Sequence, residues 1–486
     1  EYEPFEGLSL VDTFELAESR QLPLFVKENT QRVQRQKDAP IFVILGNPPY
    51  NARQLNENDN SKNRKYHIID SRVSMTYAAS SNATNRNKLL DPYVKAFRWA
   101  TDRLGNEGVV CFISNSGFLD SIAFDGMRSH LAQDFDELYI LDLGGNVRRN
   151  PKLSGTTHNV FGIQVGVCIS FLIRRGTGKR PATIYYAWTD EEARREEKYA
   201  WLDQVEDWRG VKWREVRPDK HHNWLTEGMQ LAFDAFLPIG SKATKAGKAD
   251  SILLNYGLGV STNRDAWAYN FNADKLAESM HQTIDYYNEH VYRRQRAPGK
   301  INADDFASYE DSHISWSRDL KLDLQRAHLA EFDQKKIRVS LYRPFTKQYL
   351  FFDRVMNEEV YQFPSFIPDP SLPNMLICVT DKGSEKPFMA LASDQTANLH
   401  LVGAGCGTQC FPFYTYNEDG TARRENITDW ALAHFRAVYG DETITKWDIF
   451  HYTYALLHHP TYRETYAANL RRELPRIPFV RDFWAF

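Results

Sequence analysis

The run Ile41-Phe-Val-Ile-Leu-Gly-Asn-Pro-Pro-Tyr50-Asn constrains this chain more than any other stretch. Ile41 to Leu45 is apolar, too short for an ordinary helix, rich in β-branched residues and stopped by Gly46, so it reads as a strand buried on both faces. Asn47-Pro48-Pro49-Tyr50 then leaves the strand's C-terminal end, where ligands bind in open α/β sheets. Pro48 and Pro49 fix φ and donate no hydrogen bonds, so the chain departs along a stiff extended path. The Asn47 side chain and the Pro48 carbonyl are thereby held as acceptors, with the flat ring of Tyr50 beside them. Two acceptors and a ring face suit an exocyclic amino group on a planar heterocycle. Such a group donates two hydrogen bonds, and its ring stacks on the aromatic.

A chain of 486 residues has room for two to four domains with substantial cores. A net charge of −3 excludes a histone-like polycation, so any contact with nucleic acid must come from local basic patches. No apolar run approaches the ~20 residues that span a bilayer, and the first thirty residues are too acidic and broken for a signal peptide. The expected location is the cytoplasm. Cys111, Cys168, Cys378, Cys406 and Cys410 are scattered and odd in number, as reduced thiols are. Cys406 and Cys410 lie near His400, but a four-residue spacing with no second pair is not a zinc pattern, and no metal is expected.

Residues 6 to 14 read as a short strand ending in Asp12. Its carboxylate either accepts hydrogen bonds from a nucleoside at a parallel strand's end or caps a turn. Asp91-Pro92 opens a helix whose Tyr93, Phe97, Ala100 and Leu104 recur at core-facing spacing. Residues 108–116 form the next strand and turn, 118–131 the next helix and 138–145 the next strand, an alternation that implies a parallel sheet. Residues 160–173 and 182–187 look like closing antiparallel strands.

These blocks resemble, in order, the motifs of amino methyltransferases that modify adenine N6 in DNA. Asn47-Pro48-Pro49-Tyr50 is similar to motif IV, Ile113-Ser114-Asn115-Ser116 to motif VI, Leu141-Asp142-Leu143-Gly144 to motif VII, and Asn159-Val-Phe161-Gly-Ile to the approach to motif VIII. The resemblance implies that a target adenine is flipped from the duplex, stacked on Tyr50 and hydrogen-bonded by Asn47 and Pro48. The methyl group of S-adenosylmethionine would then be transferred in line. It further implies cofactor contacts from Asp12 and Asn47, and a Phe161 ring on the opposite face of the flipped base. Phe161 also reads as an ordinary strand residue. Residues 51–87, with Lys62, Arg64, Lys65 and Asn87, are polar and amide-rich, a long loop that either faces DNA or is merely solvated.

The family's glycine-rich motif I, which precedes the Asp12 strand, has no counterpart here. Gly403-Ala-Gly-Cys-Gly407 is glycine-rich but lies far downstream and reads as a loop. In the family the motif I strand pairs with the motif IV strand, so Ile41 to Leu45 should present an unpaired apolar edge. With Glu1 rather than Met in first place, the expectation is a fragment or processed product of a longer polypeptide.

Residues 188–220 read as a charged helical connector. Gly240 to Asp250 reads as a linker or a DNA-facing loop; its glycine spacing, and Ala249 after Lys248, rule out a Walker A loop. An amphipathic helix from Ala273 to Tyr292 ends in Arg293-Arg294-Gln-Arg296, which either cap the helix macrodipole or contact phosphate. Strands are expected at 337–345, 349–353, 375–379 and 399–402, and helices over 429–457. Tyr342-Arg343-Pro-Phe345 and the closing run from His459 to Phe479 resemble the specificity half of type ISP single-polypeptide restriction-modification enzymes. That resemblance implies a domain that reads base edges while basic residues grip phosphates. It also implies an upstream nuclease and ATP-driven translocase, the users of Mg and ATP, neither of which has a motif here.

The expected architecture is therefore α/β: a Rossmann-like methyltransferase sheet, incomplete at its N-terminal side, over residues 1–220. An α+β target-recognition domain with a helical C-terminal part occupies 221–486. The expected activity is adenine-N6 methylation of specific duplex DNA without a membrane partner. The alternatives are a non-catalytic, sequence-specific DNA-binding module, or a methyltransferase acting on RNA adenine or glutamine.

Overall fold

The computed structural model describes residues 11–12, 14, 17–18, 26–49, 66–83, 86–147, 150, 153, 155, 157–176, 181–297, 313–384, 386–403 and 405–485. The chain is mixed α/β with several sheets and divides into two compact units, Glu1–Glu227 and Gly228–Phe486.

Unit 1 begins with β1 (Val11–Asp12) and β2 (Ala17–Glu18), paired antiparallel as a two-stranded sheet of their own. Asp12 therefore does not end a strand of the main sheet, as the sequence suggested. The few residues between β1 and β2 suffice for a hairpin, whereas a parallel crossover needs a dozen or more. Helix α1 (Val26–Asp38) leads to β3 (Val43–Gly46).

The main sheet has six strands in the order β3-β4-β6-β5-β7-β8. Its other members are β4 (Glu107–Asn115), β5 (Glu137–Gly144), β6 (Val167–Arg175), β7 (Thr183–Trp188) and β8 (Arg214–Val216). β3 runs parallel to β4, and β5 parallel to β7. β6 does not close an edge, as expected, but lies antiparallel between β4 and β5. β7 is likewise parallel to its neighbour rather than antiparallel, and the antiparallel edge is β8. Periodicity identifies a strand; which neighbours it chooses is settled by burial of both its faces, and β6 (Val-Cys-Ile-Ser-Phe-Leu-Ile) is apolar enough for the centre.

β3 departs from expectation in burial. Ile44 is buried, but Phe42, Val43 and Leu45 are 61%, 53% and 73% exposed, so one face is open. Among the described residues β3 pairs with β4 alone and ends the sheet. The core instead gathers under α3 (Pro92–Arg103), capped by Asp91 and packed through Phe97 on Phe112 and Phe118 at ring distances of 5.1 and 5.3 Å. The polar stretch expected to be a loop lies partly outside the described residues. Its second part forms α2 (His67–Val73) and a π-helical turn through Ala78, burying Ile69, Val73 and Tyr77. The spacing of those three residues is a helical signal diluted by polar neighbours. Residues 116–124 form two 3₁₀ turns before α4 (Asp125–Asp134), and α5 (Arg195–Val205) supplies the expected charged helix.

Unit 2 opens with β9 (Leu237–Pro238), α6 (Lys242–Lys245), β10 (Gly257–Leu258), α7 (Asp265–Ala268) and β11 (Tyr269–Asn270). Next come α8 (Ala273–Arg296), α9 (Arg318–Gln325), β12 (Ile337–Arg343), β13 (Thr346–Phe351), α10 (Phe363–Phe366) and β14 (Leu376–Thr380). β15 (Ala390–Ser393), β16 (Thr396–Ala397) and β17 (Thr408–Pro412) complete two four-stranded sheets, β10-β17-β14-β15 and β11-β13-β12-β16. A small ladder pairs β18 (Tyr414–Thr415) with β19 (Arg424–Glu425). Helices α11 (Asp429–Tyr439), α12 (Lys446–His458), α13 (Pro460–Thr465) and α14 (Ala467–Arg472) precede β20 (Arg476–Ile477), which pairs with β9. α8 buries Leu276, Met280, Ile284, Tyr287 and Val291, the amphipathic stripe legible in the sequence. Leu399 to Val402, expected to be a strand, is a succession of turns after the shorter β16.

Candidate functional site

Strands β3, β4, β5 and β7 run in one direction and finish on one side of the main sheet. Antiparallel β6 starts there, with Val167 opposite Asn115. The ends of β3, β4 and β5 and the loop entering β6 therefore meet along one edge.

At the end of β3, Asn47 is exposed, Pro48 buried and Pro49 exposed; Tyr50 lies outside the described residues. Gly46 sits against the Phe112 ring, where an added Cβ would lie 3.1 Å away. At the end of β4, Asn115 Oδ1 accepts from the Gly117 amide at 2.7 Å, and the Ser116 amide donates to the Gly166 carbonyl at 2.9 Å. A Cβ on Gly166 would lie 2.4 Å from Ser116 Oγ, so a larger residue there would have to displace the serine hydroxyl.

At the end of β5, Asp142 Oδ1 accepts from the Gly144 amide and Oδ2 from the Tyr186 hydroxyl. Gly145 turns with φ +76°, and a Cβ there would stand 2.8 Å from Asn159 Cα. Buried Asn159 ties the loop together. Its Nδ2 donates to the carbonyls of Gly145 and Val165 at 3.2 and 2.7 Å, and its Oδ1 accepts from the amides of Phe161 and Ile163 at 2.9 and 3.3 Å. Beneath it, buried Lys198 of α5 donates to the carbonyls of Leu143 and His158 at 2.7 and 2.8 Å. Burial lowers the Lys198 pKa from its ordinary value, opposed by the nearby charge of Asp142. Tyr199 adds a hydrogen bond to the Val160 carbonyl at 2.5 Å. On this braced backbone Phe161 is 43% exposed, in a turn rather than in a strand. From β3 to β6 is two strand spacings, roughly 10 Å.

The fold thus brings Asn47, Pro48 and Pro49 to the edge that also carries the Phe161 loop. It does not bring Asp12 into the main sheet. Arg293 and Arg294 belong to unit 2, in the last turn of α8, where Arg293 is engaged with Glu289 one turn back and Arg294 is half-buried. Asn159 and Lys198 were not singled out from the sequence. Lys198 looks like any lysine of a charged helix, and only the Gly144-Gly145 pair hinted at a close approach. Among the described residues no group of three or more His, Cys, Asp or Glu is arranged to hold a metal ion, and no helix is long and apolar enough to cross a membrane.

Over nearly its whole length this mixed α/β chain is similar to solved restriction-modification enzymes. Residues 251–486 match the family model of the Type ISP C-terminal specificity domain. The chain is 38% identical to the protein of a cryoEM structure of a DrdV–DNA complex, covering 100% of this chain and 47% of that one at a TM-score of 0.87. It is 32% identical to a nuclease-deletion mutant of the Type ISP restriction-modification enzyme LlaGI in complex with a DNA substrate mimic, covering 99% and 44% at a TM-score of 0.85. It is 29% identical to the ATP-dependent Type ISP enzyme LlaBIII bound to DNA, covering 99% and 31% at a TM-score of 0.85. The chain spans less than half the length of each. No curated protein matches it.

Proposed function

We propose that this chain is the modification and specificity part of a longer restriction-modification polypeptide, methylating adenine N6 in a specific duplex DNA sequence with S-adenosylmethionine as donor. The observation that carries the reading is the sheet edge that holds Asn47-Pro48-Pro49 and the braced Phe161 loop together. Unit 2 supplies sequence recognition, a role supported by its family match and by relatives solved with DNA. The remaining length of those relatives is where an upstream nuclease and a translocase using Mg and ATP belong.

On the target side, the Asn47 side chain and the Pro48 carbonyl accept the two hydrogens of the flipped adenine's amino group, which leaves its nitrogen lone pair free to attack. Phe161 offers its exposed ring to one face of the base, and Tyr50 to the other. Holding the base between fixed groups supplies the orientation that a transfer step needs. The donor would supply an electrophilic methyl group. The described residues fit the target side better than the donor side: β3 is the end strand, and Asp12 stands in a separate hairpin. That placement favours one second reading, a non-catalytic, sequence-specific DNA-binding module.

The deciding experiment incubates the chain, and a version extended upstream, with labelled S-adenosylmethionine and mixed-sequence duplex DNA, then analyses the nucleosides by mass spectrometry. N6-methyladenine from the extended version is the expected product. Asn47→Ala should abolish it and leave duplex binding nearly intact. Duplex binding by both versions with no methyladenine from either would leave the second reading standing and end the first.

A further inference from the structure

The hairpin between β12 and β13 closes with two residues, Pro344 and Phe345. Pro344 holds φ negative at the first position, which excludes the I′ and II′ turns usual in two-residue hairpins and fits a type II turn. The second position of that turn takes a positive φ, for which glycine or asparagine is the ordinary choice. Phe345 occupies it with φ +61°. A bulky side chain in the left-handed region is strained, and the usual compensation is packing. Phe345 has little: it is 91% exposed, the most exposed large apolar side chain among the described residues. The fold would be served as well or better by glycine, so the ring answers to something outside the chain.

The base of the hairpin is rigid. The Arg343 guanidinium stacks over the Tyr342 ring at 3.9 Å and donates to Asn398 Oδ1 at 2.9 Å, while the Tyr342 hydroxyl donates to Asp265 at 3.0 Å. Behind them Asn398 Nδ2 donates to the Tyr269 hydroxyl, and Ser340 Oγ donates to the Thr396 carbonyl, all buried. A bulge at Tyr342 adds local twist. Lys347, two residues past Phe345, is exposed. β11 pairs with β13 in a register that carries the chain towards this same turn, and the next residue, Phe271, is 72% exposed. One end of the sheet thus presents an apolar tip on a stiff stem with a cation close by, which is the build of a residue that wedges between stacked bases.

Resting on the proposed DNA recognition by unit 2, we infer that Phe345 is such a wedge: its ring enters the stack of the bound duplex beside the recognised bases, while Lys347 meets a neighbouring phosphate. The exposed lysine beside the turn, in β13, favours a polyanion over an apolar protein groove. Tyr342, Arg343 and Asn398 are positioning residues that hold the turn.

The test compares the full chain with Phe345→Gly, Phe345→Trp and Lys347→Ala, using a mixed-sequence duplex carrying a fluorophore at each end. Phe345→Gly should bind roughly tenfold more weakly, the loss of one stacking contact. It should also lose the end-to-end shortening that a kinked duplex gives, while melting no lower than the parent because strain is relieved. Phe345→Trp should retain both binding and shortening. Lys347→Ala should reduce the salt dependence of binding by about one phosphate contact. Undiminished binding and shortening in Phe345→Gly, or a lower melting temperature for it, overturns the inference. If the parent fails to bind duplex DNA at all, the recognition reading falls and takes this inference with it. Oxidative footprinting separates the remaining case: protection of Phe345 only with duplex supports the wedge, and protection in an upstream-extended protein without DNA assigns the ring to a protein surface.

Discussion

Phe161 is held by Asn159: the carboxamide oxygen of Asn159 accepts a hydrogen bond from the Phe161 amide at 2.9 Å while its nitrogen grips the carbonyls of Gly145 and Val165. A single buried side chain therefore joins the end of β5 to the loop that presents the aromatic ring. Asn159→Ala strands two carbonyls and two amides, which predicts a loss of about 2–4 kcal/mol in stability. Urea denaturation measures it, and duplex containing 2-aminopurine at candidate target positions should show a weaker rise in fluorescence than with the parent. An unchanged unfolding midpoint would contradict the bracing role.

Lys198 acts one layer lower, where its ammonium group donates to the Leu143 and His158 carbonyls. Lys198→Met keeps the stem and removes the donors, so it should cost about 1–3 kcal/mol. The effect should be concentrated at the loop: hydrogen exchange at residues 158–165 should speed up more than exchange in β4. Equal acceleration throughout unit 1 would assign Lys198 to the general core instead.

Asp102 sits in an ion-pair cluster with Arg72 at 2.7 Å and Arg98 at 2.6 Å, and Arg98 also pairs with Asp134. Burial pushes the Asp102 carboxyl up, but hydrogen bonds and charge from Arg72 and Arg98 outweigh it and hold the pKa below the ordinary 3.8. A depressed carboxylate contributes stability that is fully present above the unfolded-state pKa and is lost as pH falls through the folded value. Asp102→Asn should therefore be less stable by about 2 kcal/mol at pH 7. Its denaturation midpoint should also fall less steeply than the parent's below about pH 4. Parallel pH profiles for the two proteins would refute the assignment.

The open face of β3 makes a separate prediction. Leu45 is 73% exposed on the end strand, so Leu45→Lys should change stability by no more than about 0.5 kcal/mol. It should also lower concentration-dependent association of the chain, because charge on an edge strand discourages pairing. Light scattering across a dilution series gives the answer, and undiminished association would locate the sticky surface elsewhere.

Much of this organisation was legible locally. The strand before Asn47, the Asp91-Pro92 helix start and the amphipathic stripe of α8 each declare themselves within a short stretch of chain, whereas the turn at Pro344-Phe345 fell inside an expected strand over 337–345. Backbone preference and side-chain period act over that range. The helix over 67–78 was hidden because its three buried residues are spaced among polar ones, and the strand ending in Asp12 was legible as a strand but not in its pairing.

The amino-acid sequence by itself determined most of the strands and helices, and that Asn47-Pro48-Pro49 directly follows β3. Only the tertiary structure decided that β6 lies between β4 and β5, that one face of β3 is open, and that Asn159 and Lys198 serve as braces. Local periodicity encodes the type of an element, but strand order and the burial of a polar side chain depend on partners distant in sequence. Those partners meet only when the whole core packs and every buried donor and acceptor must find its match.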